Sequence, residues 1–157
     1  MSITARSDEP QWLAAPEQQA WRGYRRMITL LEARIARDLT QQSGLSMPDY
    51  EVLSNLSEAE DHRQRLSGLA GRMLWSQSRM SHHISRMEKR GLVAREQVPD
   101  DGRGAWLVLT ECGMQALVEA APGHVASVRR HLIDLLDDRQ IKTLAQITFT
   151  VVEHLDQ

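Results

Sequence analysis

The chain has 157 residues and a formal net charge of −2, a length that suggests one domain. No apolar run approaches the roughly 18 residues of a membrane span. One cysteine, Cys112, excludes an intrachain disulfide framework and a cysteine-rich zinc site, and the acidic stretch 1–10 has no apolar core of a secretory signal. A soluble, cytoplasmic protein is expected, and the near-zero charge taken alone argues against a nucleic-acid binder.

A long helix is predicted over 16–42. Tyr24, Ile28, Leu31, Ile35 and Leu39 recur at spacings of four, three, four and four, one stripe of a helix. Gly44 supplies its C-terminal stop. Ser46 caps a second helix, with Pro48 tolerated in the first turn and Tyr50, Leu53 and Leu56 facing inward. Residues 57–65 read as a polar connector, and a short helix over 66–73 buries Leu66, Leu69, Ala70 and Met73. Ser76 is the N-cap of a further helix ended by Gly91.

Beyond Gly91 the period changes. Residues 92–98 and 105–109 are β-compatible runs separated by 99–104, dense in turn residues, which predicts a hairpin with a long loop. Thr110 caps a helix expected to reach about 136, kinked or interrupted at Pro122-Gly123. Asp137 and Gln140 have capping-box spacing for a last helix, whose Ile141, Leu144, Ile147, Val151, Val152 and Leu155 form one stripe.

Charge is unevenly distributed along these elements. Residues 62–106 carry nine basic and four acidic side chains, a balance of +5, and the other 112 residues carry −7. A basic middle between acidic ends points to a polyanion-facing lobe, with a merely solvated face as the alternative. Two short helices followed by a hairpin make a winged helix-turn-helix. In its second helix Met80, Ile84 and Met87 share an inward face, while Gln77, Ser78, Arg79, Ser81, His82, Ser85, Arg86 and Lys89 occupy the others. Such a helix suits the major groove, where Arg pairs with guanine and Gln with adenine. Arg103 at the hairpin tip suits a narrow minor groove. Asp101, two residues earlier, either pairs with that guanidinium or simply braces the turn, and Arg63 and Arg65 are placed nearer the phosphates.

Asp101-Gly102-Arg103 followed by Leu109-Thr110 resembles the wing signature of MarR-type transcriptional regulators. Residues 86–95, Arg86-Met87-Glu88-Lys89-Arg90-Gly91-Leu92-Val93-Ala94-Arg95, resemble the end of that family's recognition helix and the strand after it. The resemblance covers roughly residues 12–156. It implies a homodimer with intertwined terminal helices, two winged helices on a pseudo-palindromic operator, and a small-molecule pocket between the lobes. The expected fold is mainly α with a small β-hairpin wing. A single domain over 1–157 would divide into a winged-helix lobe at 45–110 and a helical dimerisation lobe from 11–43 plus 111–157. The residues agree on dimerisation, because the first helix and the last two carry apolar stripes that a compact winged helix does not need.

The smaller signals are weaker. Trp21, Tyr24, Arg25, Tyr50 and Trp75 can line a pocket for a small aromatic or anionic effector, or can simply pack the core and dimer interface. Cys112 opens a helix, where a thiol pKa can fall, yet a passive small residue is the simpler reading. His62, His82, His83, His124, His131 and His154 lack the tight spacing of a metal site, so neither metal nor cofactor is expected. No nucleophile has a matched base, and no glycine loop cradles phosphate, so no enzyme is expected. A ligand-responsive repressor is the leading reading. The alternative is a non-catalytic architectural or protein-binding winged-helix module.

Overall fold

The computed structural model describes residues 10–99 and 101–157, with the backbone alone at 101–103. In chain order these form α1 (Ala15–Ser43), α2 (Met47–Glu58), a 3-10 turn (Glu60–His62), β1 (Arg63–Arg65), α3 (Leu66–Arg72) and α4 (Gln77–Lys89). There follow β2 (Val93–Val98), β3 (Asp101–Leu109), α5 (Glu111–His131), a second 3-10 turn (Ile133–Leu135) and α6 (Asp138–Leu155). The architecture is the expected winged helix flanked by terminal helices. No helix among the described residues is long and apolar enough to cross a membrane.

The predicted caps work as hydrogen-bond chemistry requires. Ser46 Oγ accepts from the Asp49 N–H, and the Asp49 carboxylate accepts from the Ser46 N–H, so two otherwise orphaned donors are satisfied reciprocally. Thr110 caps α5 and also donates to the Gly91 carbonyl at 2.6 Å, which ties the helix start to the end of α4. Gly44 and Gly91 take φ of 71° and 75°, the left-handed region in which a side chain is costly.

Three expectations about local structure need correction. The stretch read as a connector over 57–65 contains the end of α2 and a strand, β1. That strand is too short to show alternation and takes its register from β3, with Arg65 opposite Trp106 and Arg63 opposite Val108. The wing is therefore a three-stranded antiparallel sheet of order β1-β3-β2 rather than a bare hairpin, and β3 starts at Asp101, so residues 101–104 of the expected loop lie in a strand. Finally, α5 runs through Pro122 as one element and ends at His131, short of 136. Pro122 has no N–H to offer the carbonyl four residues back, that of Val118, a residue 62% exposed to solvent.

The core belongs mostly to the winged-helix region. Val52, Leu53 and Leu56 of α2, Leu69 of α3, Met80, Ile84 and Met87 of α4, and Leu107 of β3 are all fully buried. From α1 only Leu39 is buried, α5 adds Leu117 and Ala120, and among the described residues α6 adds none. The α1–α5 pair is joined by a polar lock. Asp38 accepts hydrogen bonds from Ser127 at 2.7 Å and His131 at 2.9 Å, with Arg130 3.7 Å away. Hydrogen bonds from Ser127 and then His131 hold the Asp38 carboxyl below its ordinary range.

Candidate nucleic-acid interface

α4 begins where the Arg79 N–H donates to Ser76 Oγ, and its inward face seats Met80, His83, Ile84 and Met87. Gln77, Ser78, Arg79, His82, Arg86 and Lys89 are exposed on the outer side. Ser81, predicted for the same face, is half-buried and occupied, because its carbonyl and hydroxyl oxygens both accept from Arg95 Nη2.

The basic segment divides into engaged and open cations. Arg95, on β2, donates to the Ser81 carbonyl at 2.7 Å and Glu88 at 2.8 Å, and reaches the Ser85 hydroxyl at 3.2 Å. Its guanidinium is spent bracing the wing sheet against α4. Arg90 donates to Asp49 at 2.7 Å and to the Gly44 carbonyl, pinning the C-terminus of α4 to α2. Arg86 keeps one N–H 3.2 Å from His83 Nδ1 and is otherwise exposed. The Arg79 guanidinium lies 3.7 Å from the centre of the Trp75 ring.

His83 was not expected to be buried, since sequence singles out only its neighbour His82 as groove-facing. Its Nε2 lies 3.1 Å from Asp49 Oδ1, an ion-pair distance whose alignment is too poor for a hydrogen bond. Because the arginine is always a donor, Nδ1 accepts and the ring proton faces Asp49. Burial pushes the His83 pKa down against the opposing pull of Asp49. Burial raises the Asp49 carboxyl, but hydrogen bonds from Arg90 and Ser46 outweigh that, and the net shift is downward.

Arg63 and Arg65 share one face of β1 and both approach Trp106, with their guanidiniums 4.4 and 5.1 Å from its ring centre. Arg63 also pairs with Glu96 at 3.7 Å. This cluster escapes sequence reasoning because Trp106 becomes an outward position only when β1 is seen to pair with β3. Gln77, Ser78, Ser81, Arg65 and Arg95 line one cleft of about 570 Å³ between α4 and the sheet. The side chains of Arg103 and Asp101 lie outside the described residues.

The five residues predicted for an effector pocket fall into three groups. Trp21 and Tyr24 stack at 5.9 Å on α1, with Arg25 6.0 Å over the Trp21 ring. Tyr50 meets His124 of α5 at 4.5 Å, and Trp75 meets His83 edge-on at 5.5 Å. His124 is held neutral-favouring by burial, and its Nδ1 is buried without a partner among the described residues. Cys112 is exposed. No group of three metal-binding side chains occurs among the described residues.

Comparison with known proteins places this geometry in context. The MarR family model matches residues 45–104, which contain α2 through the start of β3. The crystal structure of AbsC, a MarR family transcriptional regulator from Streptomyces coelicolor, is 46% identical, covers 94% of this chain and 99% of its own, and has a TM-score of 0.85. That of Sco3205, a MarR family regulator from the same organism in complex with DNA, is 40% identical over 96% of this chain and 94% of its own, with a TM-score of 0.88. An uncharacterized HTH-type transcriptional regulator of Bacillus subtilis, YkoM, is 26% identical over 120 residues, 76% of each chain.

Proposed function

The chain belongs to the MarR family of transcriptional regulators, and from that premise we propose that it binds a pseudo-palindromic operator as a homodimer and acts as a ligand-responsive repressor in the cytoplasm. The family is one of regulators rather than enzymes. The observation that carries the reading is α4, whose apolar face is fully buried while Gln77, Ser78, Arg79, His82 and Arg86 stand open beside the wing. These side chains enter the major groove, with Ser81 at its edge. Arg63 and Arg65 meet phosphates, Arg103 enters the minor groove, and Asp101 supports the wing.

Dimerisation draws support from the terminal helices. Phe149 and Ile147 of α6 are 68% and 56% exposed, and Trp12 before α1 is 82% exposed. Such faces call for a second copy. The lobe at 45–110 then reads DNA while 11–43 and 111–157 join the protomers. A small aromatic or anionic effector finds aromatic faces and a cation at Trp21, Tyr24 and Arg25, with Tyr50 and Trp75 nearer the reading lobe. Its binding alters the spacing of the two recognition helices, which must lie about 34 Å apart on one face of DNA.

The test is selection of bound fragments from the host genome followed by footprinting. Two protected half-sites about one helical turn apart are expected. Protection without sequence preference overturns the reading in favour of an architectural module.

A further inference from the structure

The helix-turn-helix turn contains an unusual backbone arrangement. Leu74 follows α3 with φ of 54° and is 93% exposed. Its N–H bonds to the Gly71 carbonyl, and the next N–H, that of Trp75, bonds back to the Ala70 carbonyl at 2.9 Å. This is the paired hydrogen-bond pattern that ends many helices, with leucine where glycine is usual. The turn fixes Trp75, whose side chain packs against the core and meets the edge of buried His83. The Arg79 guanidinium lies over the same indole, 3.7 Å from its ring centre.

We propose that Trp75 is a positioning residue that holds the Arg79 guanidinium flat and aimed outward, so that Arg79 reads one guanine of the operator. The inference rests on the reading of Arg79 as a major-groove contact. Stacking uses the face of the guanidinium and leaves its N–H donors, which lie in the plane, open for the two acceptors of a guanine edge. The contrast with Arg95 and Arg90 carries the argument, because their donors are spent on carboxylates and carbonyls. Among the described residues no hydrogen bond or ion pair reaches the Arg79 side chain. An arginine ordered by an aromatic ring without losing its donors gives up less rotamer freedom on binding a base.

A double-mutant cycle tests this by fluorescence anisotropy, on a duplex selected from the genome by the wild-type protein and on a scrambled duplex. Arg79→Ala is expected to weaken the selected duplex about tenfold to a hundredfold, and Trp75→Leu about threefold to tenfold, with little change on the scrambled one. Trp75→Phe, which keeps an aromatic face, retains most of the affinity. In the Arg79→Ala background Trp75→Leu adds no further loss beyond about twofold. If Trp75→Leu melts below the assay temperature, the cycle is read with Trp75→Phe, whose smaller loss must likewise vanish in that background. An equal loss in both backgrounds overturns the positioning role and leaves the reading of Arg79 standing. No effect of Arg79→Ala alone overturns both.

Discussion

α4 and α6 are both amphipathic, and the structure treats their apolar faces in opposite ways. In α4 the apolar residues Met80, Ile84 and Met87 disappear into the core. In α6 Ile147, Phe149, Val152 and Leu155 all stay more than half exposed, and among the described residues no residue of that helix is buried. One face is completed by its own chain, the other is left for something else. The winged-helix region buries its apolar side chains within the chain, whereas α6 leaves its own exposed. The same division separates the cations. Arg90 and Arg95 are paired with carboxylates within the chain, and the arginines on the outer side of α4, Arg79 and Arg86, have no such carboxylate partner among the described residues.

The strongest way to break this comparison is to charge the uncovered face. Phe149→Asp with Val152→Asp is expected to yield a monomer, measured by light scattering, and to abolish tight operator binding. The expected loss is several kcal/mol, since each large apolar side chain contributes about 1.5–3 kcal/mol on burial. A dimer with unchanged affinity would show that α6 is not the join. On the completed face, Met87→Ala should lower unfolding free energy by about 2–5 kcal/mol in a denaturant titration. A loss below 1 kcal/mol, roughly a methyl group's worth, contradicts the packing described.

The cations sharpen the contrast further. Arg103→Ala should weaken operator binding by about 1–3 kcal/mol with the thermal midpoint unchanged. Unchanged affinity in a mobility-shift titration removes the wing from the interface. Arg95→Ala should do the reverse, lowering the midpoint by stranding Glu88 and Ser81.

Acidity gives the smallest effect. His83 and His124 are both shifted down from an ordinary value of 6.5, so the unfolded chain takes up protons first as pH falls. Stability from these groups is fully present above pH 6.5 and is lost below it. Asp38 and Asp49, shifted down from 3.8, contribute a second loss only at more acid pH. His124→Phe should flatten the first decline in thermal melts taken from pH 7 to 5, and an unchanged slope contradicts it.

Much of this was legible in sequence because local chemistry announces helix ends. Ser46, Ser76, Thr110 and Asp137 cap the predicted helices, and Gly44 and Gly91 end two of them. The four-three spacing of Met80, Ile84 and Met87 identified the buried face of α4. What stayed hidden depends on pairing between distant segments. A three-residue strand shows no period of its own, so β1, and with it the Arg63–Trp106–Arg65 cluster, emerges only from register with β3. The partner of Ser81 is Arg95, fourteen residues away, and that of His83 is Asp49, thirty-four residues upstream. Counting Arg95 and Arg90 toward a DNA-facing charge overstated it, because sequence shows a charge and not its partner.

The central claim is that α4 presents a sequence-reading face, and not simply a basic one. Its most direct test is a salt titration of the intact protein on a genome-selected duplex and a scrambled one. The expected result is a preference of about a thousandfold or more for the selected duplex, retained as both affinities fall with salt. Two affinities that converge at every salt concentration, leaving only the electrostatic slope, would contradict it.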